Sequence, residues 1–235
     1  DIDIPINNGR TPLHAAAFND HPDTVKLLLV YVEDTKKQDI RGKTPADLAR
    51  NKGLYGIANF INDTISMATS VSNETMWVAA ERGQLAFVNK ALDMGDIEVN
   101  WRNLDRSGYT ALHAAARFNH PAIVAALIFA GADMDIGDNY DQTPLHVAIY
   151  AGNTDVVRIL LDQGADPNIA RYEGSTPLHV AARYNETAIA QLLIQDGANT
   201  RKQDDQGRTP ADDARLYGND ELAKNIDNFT YLMAP

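Results

Sequence analysis

Six histidines are the first residues that could do chemistry in this chain of 235 residues. His14, His113, His146 and His179 each lie three residues after a threonine, in the tetrapeptides TPLH, TALH, TPLH and TPLH. Imidazoles can ligate a metal or act as general bases. Their spacing argues against both. Thr110, Thr143 and Thr176 follow one another at intervals of 33, so these histidines hold one place in a repeated unit. Stacked helical units lie ~10 Å apart, too far to share one metal through bonds of ~2 Å. The expected role is local: each ring bonds the threonine three residues earlier and nearby backbone. His21 and His120 each precede a proline at a helix start and read as turn residues.

The carboxylates point the same way. Asp105, Asp138 and Asp204 stand shortly before a repeat threonine, where an aspartate caps backbone amides. There is no glycine-rich phosphate loop, no His-Glu-x-x-His and no nucleophile elbow. Cysteine is absent, which excludes disulfides and thiolate metal sites and fits a cytoplasmic location. No catalytic residue, metal or cofactor is expected, so the chain reads as a non-enzyme.

The elements that hold these residues follow from the repeat. The threonine tetrapeptides start at Thr11, Thr44, Thr110, Thr143, Thr176 and Thr209; the gap from Thr44 to Thr110 is 66, two periods. A degenerate unit fills it, with Met76-Trp77 in place of Leu-His and Ala79, Ala80 and Gly83 in register. Such self-similarity marks a repeat architecture. Thr143 is a suitable N-cap and Pro144 a suitable first helical residue. Leu145, Ala148 and Ile149 give a short helix one inner face. Gly152 ends it, as Gly53, Gly83 and Gly218 do elsewhere, with Asp20, Asn119 and Asn185 as the next most tolerant of positive φ. Val156, Val157, Leu160 and Leu161 predict a second helix, stopped at Gly164 and, in other units, at Gly95, Gly131 and Gly197. The turn-rich "ADPNIARYEGS" then leads to the next threonine. Such a unit cannot bury its apolar faces alone, so the units must stack.

The segments "GYTALHAAARFNH…LIFAGADMD", "DQTPLHVAIYAGNTDVVRILLDQGADPN" and "GSTPLHVAARYNETAIAQLLIQDGAN" resemble ankyrin repeats. The resemblance implies an all-α solenoid of helix-turn-helix units with β-hairpin-like finger loops. It also implies a binding scaffold for protein or peptide, commonly held in a concave groove. Seven units are expected: two over 1–68, a linker or joint at 69–73, and five over 74–235. The second unit and the last share the sequence TPAD and look like caps. Asp212, Asp213, Lys224 and Asp227 are expected to face water on the last. The stretch "TISMATSVSN" fits a linker or a stretched helix end, and Met76, Trp77 and Phe87 are expected to pack back on Ile57, Phe60 and Ile61. The first unit has no polar cap: Leu13, Ala16 and Leu28 need cover, in part from Ile2, Ile4 and Ile6 and otherwise from upstream sequence. A loop insertion is expected near Asn100–Leu104.

The positions left free by stacking define the expected partner-binding surface. They are the finger tips and the ends of the first helices: Arg106, Tyr109, Arg117 and Phe118 in the fourth unit, Tyr140 and Tyr150 in the fifth, Tyr172, Arg183 and Tyr184 in the sixth, and Arg208 and Tyr217 in the last. Tyrosine and arginine are the types most enriched at binding hot spots. Formal net charge is −11, which disfavours a nucleic-acid partner. The excess lies after residue 68, where 13 basic residues face 23 acidic ones. That acidity is either a solvated outer face or a surface for a basic partner. No apolar run approaches the ~18 residues of a membrane span. The module is read as monomeric. The array is read alternatively as the targeting part of a multidomain protein, such as a secreted bacterial effector enzyme in a host cytosol. The segment "LLDQGADPN" is similar to that in which ankyrin asparagines are hydroxylated, which marks Asn168 as a modification candidate against a turn asparagine bonding its own backbone.

Overall fold

The computed structural model describes residues 4–5, 8–32, 35–68 and 71–232. Among them are fourteen α-helices in seven pairs. These are α1 (Pro12–Phe18) with α2 (Pro22–Tyr31), α3 (Pro45–Asn51) with α4 (Tyr55–Ala68), α5 (Asn73–Glu81) with α6 (Leu85–Asp93), α7 (Ala111–Arg117) with α8 (Pro121–Phe129), α9 (Pro144–Tyr150) with α10 (Thr154–Asp162), α11 (Pro177–Arg183) with α12 (Thr187–Gln195), and α13 (Pro210–Leu216) with α14 (Asp220–Leu232). The helices begin and end where residue chemistry requires. Thr143 is extended at φ −77 and ψ 165 and precedes Pro144 at the first helical position. Asp20, Asn119 and Asn185, at φ 58, and Gly152, at φ 68, turn the chain out of the first helices, as expected of residues tolerant of the left-handed region.

The chain divides into two compact units, one of residues 1–79 with 84–97, the other of 80–83 with 98–235. In the first, Leu13, Ala17, Val25, Ala49, Ala58 and Ile61 form a dry core, with Phe60 packed at its margin. α1 packs on α3, and α2 contacts both α4 and α6. Leu13, Ala16 and Leu28 are buried, so their cover is present within this unit; α6 lies beside α2. Ile4 is exposed and gives none, whereas Ile2 and Ile6 lie outside the described residues. Met76, Trp77 and Phe87 are buried. The degenerate repeat caps its first helix from Ser72, two places ahead of the register: the Thr75 N–H donates to Ser72 Oγ at 3.2 Å and the Ser72 N–H to Thr75 Oγ1 at 2.8 Å. The stretch "TISMATSVSN" is helical as far as Ala68, and residues 69 and 70 of the joint lie outside the described residues.

In the second unit α7, α9, α11 and α13 pack in one row and α8, α10 and α12 in another. Leu112, Leu145 and Leu178 of the first row and Val124, Leu160 and Leu193 of the second are fully or almost fully buried. Alanines 114, 115, 148, 181, 182 and 214 lie between them at 0% exposure; their small side chains let adjacent helices approach.

Fingers link edge to edge through single backbone bonds. The N–H of Asn139 donates to Ser107 O at 2.8 Å, that of Tyr172 to Tyr140 O at 3.0 Å and that of Asp205 to Glu173 O at 3.1 Å. Each finger is a tight reversal, as in the 2.9 Å bond from the Asp138 N–H to Gln142 O. Asp138 Oδ1 takes the N–H groups of Tyr140 and Gln142, and Asp204 Oδ1 those of Gln206 and Arg208. Asp105 was expected to cap in the same way, but in the fourth finger Asn103 Oδ1 takes the Asp105 N–H instead. The local reason is a 3-10 turn at Leu104–Arg106, which places the capping residue two positions earlier. This turn overlaps the expected insertion.

One expectation fails clearly. Asp213 does not face water: it is 0% exposed. Its position on α13 points inward, where Arg183 of the preceding repeat and Arg208 of its own finger neutralise it. Asp212, Lys224 and Asp227 are exposed as expected.

Candidate protein-binding surface

The histidines position the surface without belonging to it. His14, His113, His146 and His179 are at most 1% exposed. In each, Nδ1 accepts the N–H of the threonine three residues earlier, as from Thr110 at 3.2 Å, and lies within 3.0 Å of its hydroxyl. With Nδ1 accepting, Nε2 carries the proton and donates forward: to Lys43 O, Gln142 O, Ser175 O and Arg208 O, each 29 residues on. The histidine therefore fixes its own helix start and the next finger. Burial pushes these imidazoles below their usual range, His113 to about 4 and His146 to about 3. A proton on Nδ1 would face the threonine N–H.

The TPAD repeats keep the local bond to threonine without the forward one. Asp47 Oδ2 accepts the Thr44 N–H and hydroxyl at 3.1 and 2.8 Å, and Asp212 does the same with Thr209 at 3.1 and 2.7 Å. These bonds hold both carboxyls below the usual range. A carboxylate accepts two bonds at the helix start and donates none. It has no proton to offer the finger of a following repeat.

On this frame the sequence-expected residues are disposed unevenly. Phe118, Tyr140, Tyr150, Tyr172, Tyr184 and Tyr217 are 44–65% exposed. Tyr109 is half-buried: its ring stacks on His113 at 5.2 Å between centroids. Tyr184 donates to the Tyr150 hydroxyl at 2.5 Å, with the rings 4.6 Å apart. Burial and that hydrogen bond push Tyr184 up to about 12. Arg106 is exposed, 3.8 Å from Glu81. Arg117 is exposed and donates to the Tyr109 hydroxyl at 3.3 Å.

Arg183 and Arg208 are engaged within the stack. Arg183 reaches Asp213 Oδ2 at 2.7 Å and lies 5.3 Å from the Tyr217 ring centre. Arg208 reaches Asp204 at 2.7 Å and Asp213 at 3.2 Å. Sequence reasoning missed this cluster because Asp213 read as a solvated charge. The available signal was its place four residues after Thr209, where Val147 and Val180 stand in other repeats.

Between the fourth and fifth repeats lies a cavity of about 340 Å³, lined by Ser107, Tyr109, Arg117, Asp138, Tyr140, Gln142, Val147, Tyr150 and Ala151. It brings together four residues of the expected set, Tyr109, Arg117, Tyr140 and Tyr150, with Asp138, which sequence reasoning gave only a capping role. Asn168 lies apart from it. Its Oδ1 accepts the Asn199 N–H at 2.7 Å and its Nδ2 donates to Gly197 O at 3.1 Å, so its side chain bonds the next repeat's backbone. Among the described residues no group of His, Asp and Glu is arranged to hold a metal, and no helix is long and apolar enough to cross a membrane.

Paired short helices, stacked in rows and joined by fingers, define a helical repeat protein of the all-α solenoid class. Three ankyrin-repeat family profiles match, over residues 76–171 (ankyrin repeats, three copies), 160–214 (ankyrin repeats, many copies) and 8–36 (ankyrin repeat). The chain belongs to the ankyrin-repeat family. It is 31% identical over 134 residues to an ankyrin repeat and KH domain-containing protein of Caenorhabditis briggsae, covering 55% of this chain and 5% of that protein. It is 31% identical over 136 residues to alpha-latrotoxin-Lg1a of Latrodectus geometricus, covering 54% of this chain and 10% of the toxin. A second ankyrin repeat and KH domain-containing protein, from Caenorhabditis elegans, is 31% identical over 137 residues, 56% of this chain and 5% of its own length. The matched region is thus a small part of each relative. Membership supports a protein-interaction scaffold.

Proposed function

We propose that the chain binds a protein or peptide across the fingers and first-helix ends of its second unit, as a monomeric, non-catalytic module. The observation that carries this reading is the set of six rings, Phe118 to Tyr217, exposed on the fingers and first-helix ends, where with Leu104, Phe129 and Leu216 they make up the exposed large apolar side chains described in this unit. Exposed aromatic groups on rigid elements bind at low entropic cost. The acidic excess after residue 68 favours a basic partner. The division at 69–73 into two repeats and five belongs to the same proposal. Replacing Tyr140, Tyr150 and Tyr184 with alanine tests it: retained partners should be lost from affinity capture while the thermal midpoint holds. Unchanged capture would refute the surface.

A second reading has one observation in its favour, the small share of each relative that the match spans. On it, the array is the targeting part of a larger protein, such as a secreted effector enzyme acting in a host cytosol. The sequence flanking these residues in the gene tests that reading. Asn168 is the candidate for modification by hydroxylation; intact mass without an added oxygen after expression in its own cell would remove it.

A further inference from the structure

The second unit contains one arrangement in two versions. Four register positions meet: the finger residue five before a repeat threonine, the residue just before it, the residue four after it, and the last residue of the preceding first helix. In the final two repeats they are Asp204, Arg208, Asp213 and Arg183. They form a continuous chain of ion pairs. Arg208 meets Asp204 Oδ2 through Nη2 at 2.7 Å and Nε at 3.0 Å, and its Nε is 3.2 Å from Asp213 Oδ1. Arg183 completes the chain at Asp213 Oδ2, 2.7 Å away.

In the fourth and fifth repeats the same positions hold Asp138, Gln142, Val147 and Arg117. Both ends of the chain are kept and both middle members are gone. The place they would fill is open: these four residues line the 340 Å³ cavity, beside the rings of Tyr140 and Tyr150.

Neither end has an ion-pair partner among the described residues. Asp138 is 4% exposed. Its Oδ1 takes two backbone N–H groups, while Oδ2 has no hydrogen bond or ion pair among the described residues. The corresponding Oδ2 atoms of Asp39 and Asp204 each have a guanidinium, from Arg10 at 3.4 Å and Arg208 at 2.7 Å. Arg102, the nearby cation, donates to Gly108 O and Asn139 Oδ1. Arg117 donates to the Tyr109 hydroxyl and lies 6.0 Å from the centre of the Phe118 ring, and has no carboxylate among the described residues. The Asp138 carboxylate is held at the wall of the cavity with one oxygen still able to accept; a cation placed there would offset the cost of its burial, and adjacent aromatic faces favour a cation further.

We propose that this cavity receives, from the partner protein, an arginine on Asp138 and a neighbouring carboxylate on Arg117, replacing the Arg208–Asp213 pair that closes the equivalent place two repeats later. A guanidinium fits better than an ammonium, because Arg208 shows that the planar fork delivers two N–H groups to one finger carboxylate. This rests on the reading that the finger surface receives a protein, and deepens it.

The probe is the capped dipeptide N-acetyl-Arg-Glu-amide, titrated into the whole chain while the amide resonances of Tyr140 and Gln142 are followed. Saturable shifts are expected. They should vanish when alanine replaces the arginine and weaken when it replaces the glutamate. Asp138→Asn keeps an oxygen for both finger amides, and is expected to bind roughly tenfold more weakly or worse. Gln142→Arg with Val147→Asp copies the continuous chain, and should abolish binding and raise the urea midpoint. Gln142→Arg alone, which buries no new acid, should also block the probe. Absence of saturable shifts in the natural sequence, or equal affinity in Asp138→Asn, overturns the proposal. A partner lost on removing the three tyrosines but held by Asp138→Asn would leave the surface standing and remove only the arginine pocket.

Discussion

Acid should weaken this fold well above the pH at which its carboxylates titrate. The perturbation is a shift from pH 8 to pH 5. His113 and His146 are almost wholly buried, with Nδ1 already accepting the threonine N–H, and their folded pKa values are depressed to about 4 and about 3. For a depressed histidine the unfolded chain takes the proton first. Stability is therefore complete above the unfolded value of 6.5 and is lost as pH falls from there toward the folded value. At pH 5 each histidine has cost about 2 kcal/mol, or ~4 kcal/mol for the pair if their effects add. His14 and His179 are lowered by the same burial and act in the same direction. Asp39, Asp47, Asp204 and Asp212 are held low and add their own loss only in stronger acid. Asp138 is pushed up by burial and opposes the trend. Urea unfolding at several pH values measures the slope, with His113→Asn/His146→Asn as the control. The variant should be less stable at pH 8 and lose much less between pH 6.5 and 5. Parallel slopes for the two proteins would refute the buried, neutral assignment.

Other outcomes follow from the same contacts. Leu178→Ala removes a side chain at 0% exposure and should cost about 2–5 kcal/mol in urea unfolding. Gly174→Ala puts a Cβ at φ +71 and 2.9 Å from the Asp205 backbone nitrogen; a loss of about 1–3 kcal/mol is expected, and an unchanged urea midpoint would deny the finger contact. Arg183→Ala leaves buried Asp213 with only Arg208 and should cost roughly 1–3 kcal/mol, whereas exposed Arg117→Ala should change stability by less than about 0.5 kcal/mol. If the partner is basic, raising salt should slow association measured by stopped flow; a rate indifferent to salt would exclude steering by the acidic excess.

Much of the fold was legible because repetition turns single residues into columns. Thr143, Pro144 and Gly152 do the same work in one repeat that their counterparts do in others, so one unit explains the rest. The His/Asp alternation was also visible, in TPLH against TPAD. Its meaning was not, because the forward bond from His113 to Gln142 O joins residues 29 apart and needs the stacking geometry. An insertion near the fourth finger was expected from the period, yet the count could not say that Asn103 would displace Asp105 as the cap. Asp213 misled for a different reason. An aspartate on a terminal repeat reads as a solvent-facing charge, and only the paths of Arg183 and Arg208, which come from other elements, make it internal. The exposed rings were legible as positions left free by packing. The cavity beside Asp138 was not, since it arises from what Gln142 and Val147 fail to supply.

The most direct measurement is site-specific photocrosslinking to the captured partner. A benzophenone side chain is placed singly at Tyr140, Tyr172 and Tyr217 on the finger and first-helix surface, and at exposed Arg158 and Gln191 on the second helices. Adducts from the first three and none from the last two are the expected result. Adducts from Arg158 or Gln191 alone would contradict it.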